Sequence, residues 1–285
     1  MNISLGSRGD RYLWKKLLRL LIGLARFCAP QVRVRDGADD YSFRPRSRND
    51  VFRYTTFLTK EEGTLAWLRG QVRSGAVMFD IGANVGLYSL YAARRSADVR
   101  VYAFEPHKIN FATLVENILL NGLGERIHPI AVALSDQTGY FHLNYNSMDS
   151  GTSMSQLGHS SLPGNREFVP KLRELVHAVS LDSLVESGQI PAPDLIKVDV
   201  DGNELKILAG MQRLLKSERG PRSLQVEINP GGRAEVLALM TGCGYQLDHC
   251  HFTKGGQAEF ERTRSYETVP HNAVFVKARP PASAA

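Results

Sequence analysis

From Ala76 to about Leu247 the chain alternates short β-rich runs with longer helical patterns, and this alternation narrows the possible folds more than any other feature. VMFDI, VRVYAFE, IHPIAVAL, DLIKVDV and SLQVEI are the extended runs. Helical periodicity occupies Gly86 to Arg95, Ile109 to Asn121, Asn203 to Leu215 and Arg233 to Thr241. That order builds βαβ units, in which a mainly parallel sheet is covered by helices on both faces. VMFDI accordingly lacks the apolar-polar alternation of a half-exposed strand. The expected class is α/β, doubly wound and Rossmann-like, with HNAVFVKA as a final strand paired antiparallel with the sheet edge.

The 285 residues, 43% hydrophobic and 22% charged, suffice for a full α/β core and exclude collagen-like, disulfide-scaffold and disordered chains. Cys28, Cys243 and Cys250 are an odd set without zinc-ligand spacing, so a reducing cytoplasm is the expected compartment. A net charge of +6 falls short of a dedicated nucleic-acid binder. Base-methylating enzymes carry an Asn/Asp-Pro-Pro-aromatic run, of which Glu227-Ile228-Asn229-Pro230 is only a partial echo. No nucleic-acid partner is expected, and no apolar run is long enough to span a bilayer.

Residues 1–59 read as an extension. Between Tyr12 and Ala29, Leu13, Leu17, Leu20, Leu21, Leu24 and Cys28 recur at helical spacing among Arg11, Lys15, Lys16, Arg19 and Arg26. This basic amphipathic helix suits three partners: its own domain, a second subunit in a homo-oligomer, or an anionic membrane surface met through residues 11–29. The main domain, 60–279, opens with Thr59-Lys60-Glu61-Glu62, a capping-box pattern, and a helix from Lys60 to Gly70. Within it YFHLNYN reads as one more strand. The Ser/Gly-rich stretch 146–178 reads as a substrate lid, and 280–285 as a disordered tail.

The sharpest local signal is Asp80-Ile81-Gly82-Ala83-Asn84-Val85-Gly86, a glycine-rich strand-to-helix turn that lets a ligand approach the backbone. Asn84 stands where the dinucleotide G-x-G-x-x-G pattern needs its second glycine, and the Gly-Lys-Ser/Thr ending of a P-loop is absent. Asp80 at the mouth would repel pyrophosphate and suit a cationic group. Glu105 ends the next strand, where an acid accepts hydrogen bonds from ribose hydroxyls. Together they describe a nucleoside with a cationic amino-acid tail, which S-adenosyl-L-methionine matches. Gly82, Asn84, Gly86 and Asp136, after the third strand, complete the expected cofactor-binding set.

DIGANVGLYSL, AFEPHKINFATLVENILLNGL, VSLDSL, DLIKVDVDGNELKILAGM and LQVEI resemble the successive motifs of FkbM-type methyltransferases across residues 76 to 230. The resemblance implies a class I methyltransferase fold with a seven-stranded sheet and S-adenosylmethionine-dependent methylation of hydroxyls on sugars, glycans or secondary metabolites. Where the family usually has Asp-Val-Glu-Gly, this chain has Asp199-Val200-Asp201-Gly202. Strand-end acids are the candidates for chemistry: Asp199 as base or acceptor-orienting group, Glu204 and Glu227 for placing substrate hydroxyls. His142 and His159, beside the lid, are further candidate bases, and Asp194 and Lys197 are expected to pair on the surface of the fourth strand. Asp199 with Glu227 or Asn229 lacks a third defined oxygen ligand, so no metal is expected. Competing readings are a peptide or carboxylate methyltransferase, an NAD-dependent oxidoreductase and a non-catalytic S-adenosylmethionine-binding module.

Overall fold

The apolar runs of the middle region become the parallel centre of a seven-stranded sheet. The computed structural model describes residues 8–27, 30–162 and 166–278; Cys28, Ala29 and the tail 280–285 lie outside them. The chain begins with α1 (Arg8–Phe27), β1 (Val32–Asp36), β2 (Asp39–Phe43), α2 (Arg48–Thr55) and α3 (Glu62–Gln71). Then come β3 (Val77–Ile81), α4 (Leu87–Arg94), β4 (Arg100–Phe104), α5 (Lys108–Leu120) and β5 (Ile127–Ile130). An insertion supplies β6 (Ala133–Leu134), β7 (Gly139–Tyr145), β8 (Gln156–Leu157), β9 (Ser161–Leu162), β10 (Arg166–Glu167) and β11 (Leu172–Val179). The remainder is α6 (Leu181–Glu186), β12 (Leu195–Val198), α7 (Glu204–Ala209), α8 (Gln212–Lys216), β13 (Ser223–Ile228), α9 (Arg233–Gly242), β14 (Tyr245–His251), α10 (Lys254–Thr263) and β15 (His271–Lys277).

The sheet runs β14-β15-β13-β12-β3-β4-β5, with β3, β4, β5, β12 and β13 mutually parallel. HNAVFVKA, as β15, inserts antiparallel between β13 and β14 and leaves β14 on the edge. The chain winds outward through β4 and β5 and then returns to place β12 beside β3. Order reverses between β3 and β12, so a crevice opens at their carboxyl ends.

Every residue of β3 is buried because both faces are covered: Phe79 and Ile81 pack with the α6–α9 layer, and Met78 packs with α3, α4 and α5. Tyr41, Phe43, Tyr54 and Phe57 join the second layer: Tyr41 stacks on Tyr91, Phe43 stacks on Tyr54, and Phe57 meets Tyr41, Phe43 and Tyr91 edge on. Four aromatic residues of the segment read as an extension thus pack into the core of the main domain.

Three local expectations also change. Thr59 does not cap α3; its hydroxyl donates to the Thr56 carbonyl, and the helix starts after Glu61. The helix expected from Asn203 to Leu215 divides into α7 and α8 at Gly210, where a Cβ would lie 2.1 Å from the Ser135 carbonyl oxygen. The close approach of two backbones decides the break. Residues 172–178 of the expected lid are strand, since β11 pairs with β7 from Leu172↔Tyr145 to Ala178↔Gly139 in a separate four-stranded sheet.

Candidate active site

The crevice holds a cleft of about 670 Å³ lined by the turn after β3, the end of β4, the start of α5 and the loop after β12. At Gly82, φ is +79° and a Cβ would stand 1.9 Å from the Asp199 carbonyl oxygen, so only glycine lets β3 and β12 close here. Asn84, with φ of 52°, donates its backbone N–H to Glu105 Oε2 at 2.8 Å. The second Glu105 oxygen accepts the His107 N–H at 2.8 Å. Burial pushes the Glu105 carboxyl up to about 7, against the pull of these two N–H groups.

Thr152 to Ser155 and Leu157 wall this cleft. The Asn84 and Asn110 side-chain amides both donate to the Thr152 carbonyl, at 2.7 and 3.0 Å, and Asp201 Oδ2 accepts the Met154 N–H at 2.7 Å. Asp201, itself at φ of 61°, thus clasps the loop from below, and Gln156 Nε2 donates to its carbonyl. The expected substrate lid is in this part a wall of the cleft beneath β4, while Asn84 Oδ1 remains buried without a hydrogen-bond partner.

A second, polar pocket of about 640 Å³ adjoins the first across Gly82, Asn84, Ser153, Asp199 and Asp201. Its lining adds Arg53, Lys60, Glu61, Tyr88, Lys197, Glu227 and Thr253. The period of two along a strand explains part of this set. Lys197 sits opposite Asp80 on one side and Gln225 on the other, so Lys197, Asp199 and Glu227 share one face.

Lys197 is 1% exposed and donates from Nζ to Asp199 Oδ2 at 2.6 Å, with the Tyr88 ring 4.9 Å away. Burial alone would neutralise this amine, but Asp199, Asp80 and Glu61 hold it charged and raise its pKa. Burial likewise opposes ionisation of Asp199, and the Lys197 ammonium overcomes it, keeping the carboxyl below the usual range. Glu227 has no such cation beside it. Burial, reinforced by Asp199, Asp201, Glu204 and Glu61, pushes its carboxyl well above the usual range and so favours the neutral form.

Of the residues singled out from the sequence, Glu105 lines the first cleft, Glu227 lines the second, and Gly82, Asn84 and Asp199 line both. Four others line neither. Asp80 is buried behind the turn, where Ser89 Oγ donates to its Oδ2 at 2.5 Å; Ile81 takes the cleft side of the strand. Gly86 caps α4, where its φ of 89° and the nearby Leu114 side chain leave no room for a Cβ. Asp136 is exposed and accepts from the Ser135 hydroxyl. Glu204 accepts the Val200 and Gly202 N–H groups, at 3.3 and 2.9 Å, and orders the loop that carries Asp199 and Asp201.

The histidine beside the first cleft is His107; His142 and His159 line neither cavity. Asp194 pairs with Arg222 at 3.1 Å rather than with Lys197.

A family model for the methyltransferase FkbM domain matches residues 80–247, well over half of the chain. The chain belongs to the FkbM family of S-adenosylmethionine-dependent methyltransferases. The hexuronic acid methyltransferase AglP of Haloferax volcanii is 27% identical over 175 residues, covering 61% of this chain and 66% of AglP. The 31-O-demethyl-FK506 methyltransferase FkbM of Streptomyces tacrolimicus is 29% identical over 204 residues, covering 62% of this chain and 75% of the relative. Among solved structures, the methyltransferase FkbM of Methylobacillus flagellatus superposes with a TM-score of 0.46 at 17% identity, over 73% of this chain and 45% of that one. In this FkbM-family member the motif around Gly82 lies on the first cleft, and the motif around Asp199 lies where the two cavities meet.

Proposed function

We propose that this FkbM-family protein transfers the methyl group of S-adenosylmethionine to a hydroxyl of a sugar or another polyhydroxylated molecule. The observation that carries the proposal is the shared wall. One cavity presents the strand-end carboxyl of Glu105 beside the glycine turn, the other is rich in hydroxyl-binding groups, and Asp199 stands at their junction.

The first cleft suits the cofactor on its own evidence. Glu105 presents a buried carboxylate to the cleft, Asn84 Oδ1 lacks a partner, and Gly82 gives close backbone access. Glu105 would hold the ribose hydroxyls, and the turn from Gly82 to Asn84 the amino-acid end. When bound, S-adenosylmethionine supplies an electrophilic methyl group.

The chain's own residues do the rest. Asp199, kept anionic by Lys197, accepts a hydrogen bond from the acceptor hydroxyl and so aims an oxygen lone pair across the shared wall. A low carboxyl pKa does not defeat this role, because the oxygen becomes strongly acidic as its new bond to carbon forms and a weak base then suffices. The hydroxyl proton passes to Asp199. Glu227, whose carboxyl is pushed toward the neutral form, can donate from that form to a neighbouring acceptor oxygen. Glu61, Asp199 and Asp201 match the cations Arg53, Lys60 and Lys197 one for one, and Glu227 adds no positive charge, so the pocket has no excess of cations to draw a free carboxylate and favours a hydroxyl-rich acceptor. The 31-O position in the name of one relative supports oxygen as the methyl acceptor, and the hexuronic acid in the name of the other supports a sugar.

S-adenosylhomocysteine at 100 times its dissociation constant is expected to stabilise the protein by about 2.7 kcal/mol, with no effect from NAD⁺. Thermal denaturation checks this. Stabilisation by NAD⁺ alone would reject the methyltransferase reading.

A further inference from the structure

The N-terminal helix leaves an apolar stripe uncovered. Leu17, Leu20, Leu21 and Leu24 follow the i, i+3, i+4, i+7 spacing of one helix face, and all four are exposed, Leu20 by 60% and Leu24 by 50%. Of the three partners the sequence left open, the helix's own domain does not cover this stripe. The charge on the helix separates the other two. Lys15 and Arg19, one turn apart, lie away from the leucine stripe, and across its length α1 carries six Lys and Arg against the single Asp10. Two copies placed stripe to stripe would leave all twelve cations with only two acids to offset them, whereas anionic headgroups neutralise the same charges. Among the described residues no helix is long and apolar enough to cross a membrane.

We propose that α1 is an interfacial anchor, lying in the plane of an anionic bilayer with the leucine stripe among the acyl chains and the cations at the headgroups. The face that buries apolar area and the faces that collect phosphate are then set by one helical repeat. The folded domain, tied to α1 through β1, is held at that surface.

Co-sedimentation of the full chain with phosphatidylcholine vesicles, with and without phosphatidylglycerol, tests the anchor. The wild type is expected to sediment only with the anionic vesicles at low salt and to be released at 1 M salt, where the screening length falls to about 3 Å. Replacing Lys15 and Arg19 together by Ala should lower partitioning about fivefold per cation, from the attraction of one charge to such a surface. Leu20→Glu with Leu24→Glu should abolish it. Unchanged melting temperatures would show that these variants keep the folded domain. Failure of the wild type to sediment with anionic vesicles would overturn the proposal. So would a dimer in sedimentation velocity that dissolves in the Leu20→Glu, Leu24→Glu variant, since the stripe would then belong to a second copy.

Discussion

Asp199→Asn is expected to lower kcat by about 10²- to 10⁴-fold on any hydroxyl acceptor that turns over, the range for loss of a positioned acid-base group. Asparagine keeps the size of the side chain and loses the charge that receives the proton and pairs with Lys197 at 2.6 Å. Because the substitution acts on the acceptor oxygen, S-adenosylhomocysteine affinity should stay within about threefold of wild type. Steady-state kinetics beside calorimetry separates the two quantities. A kcat within about threefold of wild type would remove Asp199 from the mechanism, while a parallel loss of affinity would make it a cofactor ligand.

The second large effect is expected at Glu105. Glu105→Ala removes a buried carboxylate and strands the Asn84 and His107 N–H groups that it holds at 2.8 Å. Hydrogen bonds to a charged group contribute about 1.5–3 kcal/mol, so S-adenosylhomocysteine should bind about 100-fold more weakly.

A pH dependence follows from the same group, whose carboxyl is raised to about 7 by burial. The ionised form accepts the ribose hydroxyls, so affinity should rise up to about tenfold per pH unit below 7 and level off above it. Glu105→Gln should flatten that profile. For the unliganded protein the sign is opposite. The unfolded chain releases this proton near 4.5 and the folded chain keeps it until about 7, so the stability contributed by Glu105 falls as pH rises through that window. Glu204, also raised to about 7 by burial, adds to the stability slope, so the affinity profile is what isolates Glu105. Affinity within about threefold of wild type in Glu105→Ala would reject the ribose assignment.

The parts of the site legible in the sequence are those fixed by short stretches of chain. Gly82 and Glu105 each sit at the end of a strand that local periodicity already defines, and the parallel sheet brings those ends together. The structure departs from the local reading where one residue of register matters. Asp80 and Ile81 are adjacent, and only the pleat decides that Ile81 faces the cleft while Asp80 faces Ser89. Glu204 looked like a substrate-facing acid because a carboxylate that orders a loop and one that meets a ligand are the same residue type.

Long-range parts were not legible at all. Thr152 is fastened by Asn84 and Asn110, 68 and 42 residues away, within a segment that has no periodicity. Arg53, Lys60 and Glu61 fell on or beside the segment read as an extension. Their access to the polar pocket depends on Tyr54 and Phe57 packing into the core, which no local pattern announced.

The most direct measurement is the fate of the methyl group. Incubation with tritiated S-adenosylmethionine and a panel of glycosides, followed by mass spectrometry and NMR of the labelled product, reads out which atom is methylated. A new methyl ether on a sugar hydroxyl, formed by the wild type and lost in Asp199→Asn, is the expected result. Label on nitrogen or as a carboxylate ester, or an ether formed equally well by the variant, would contradict hydroxyl methylation directed by Asp199.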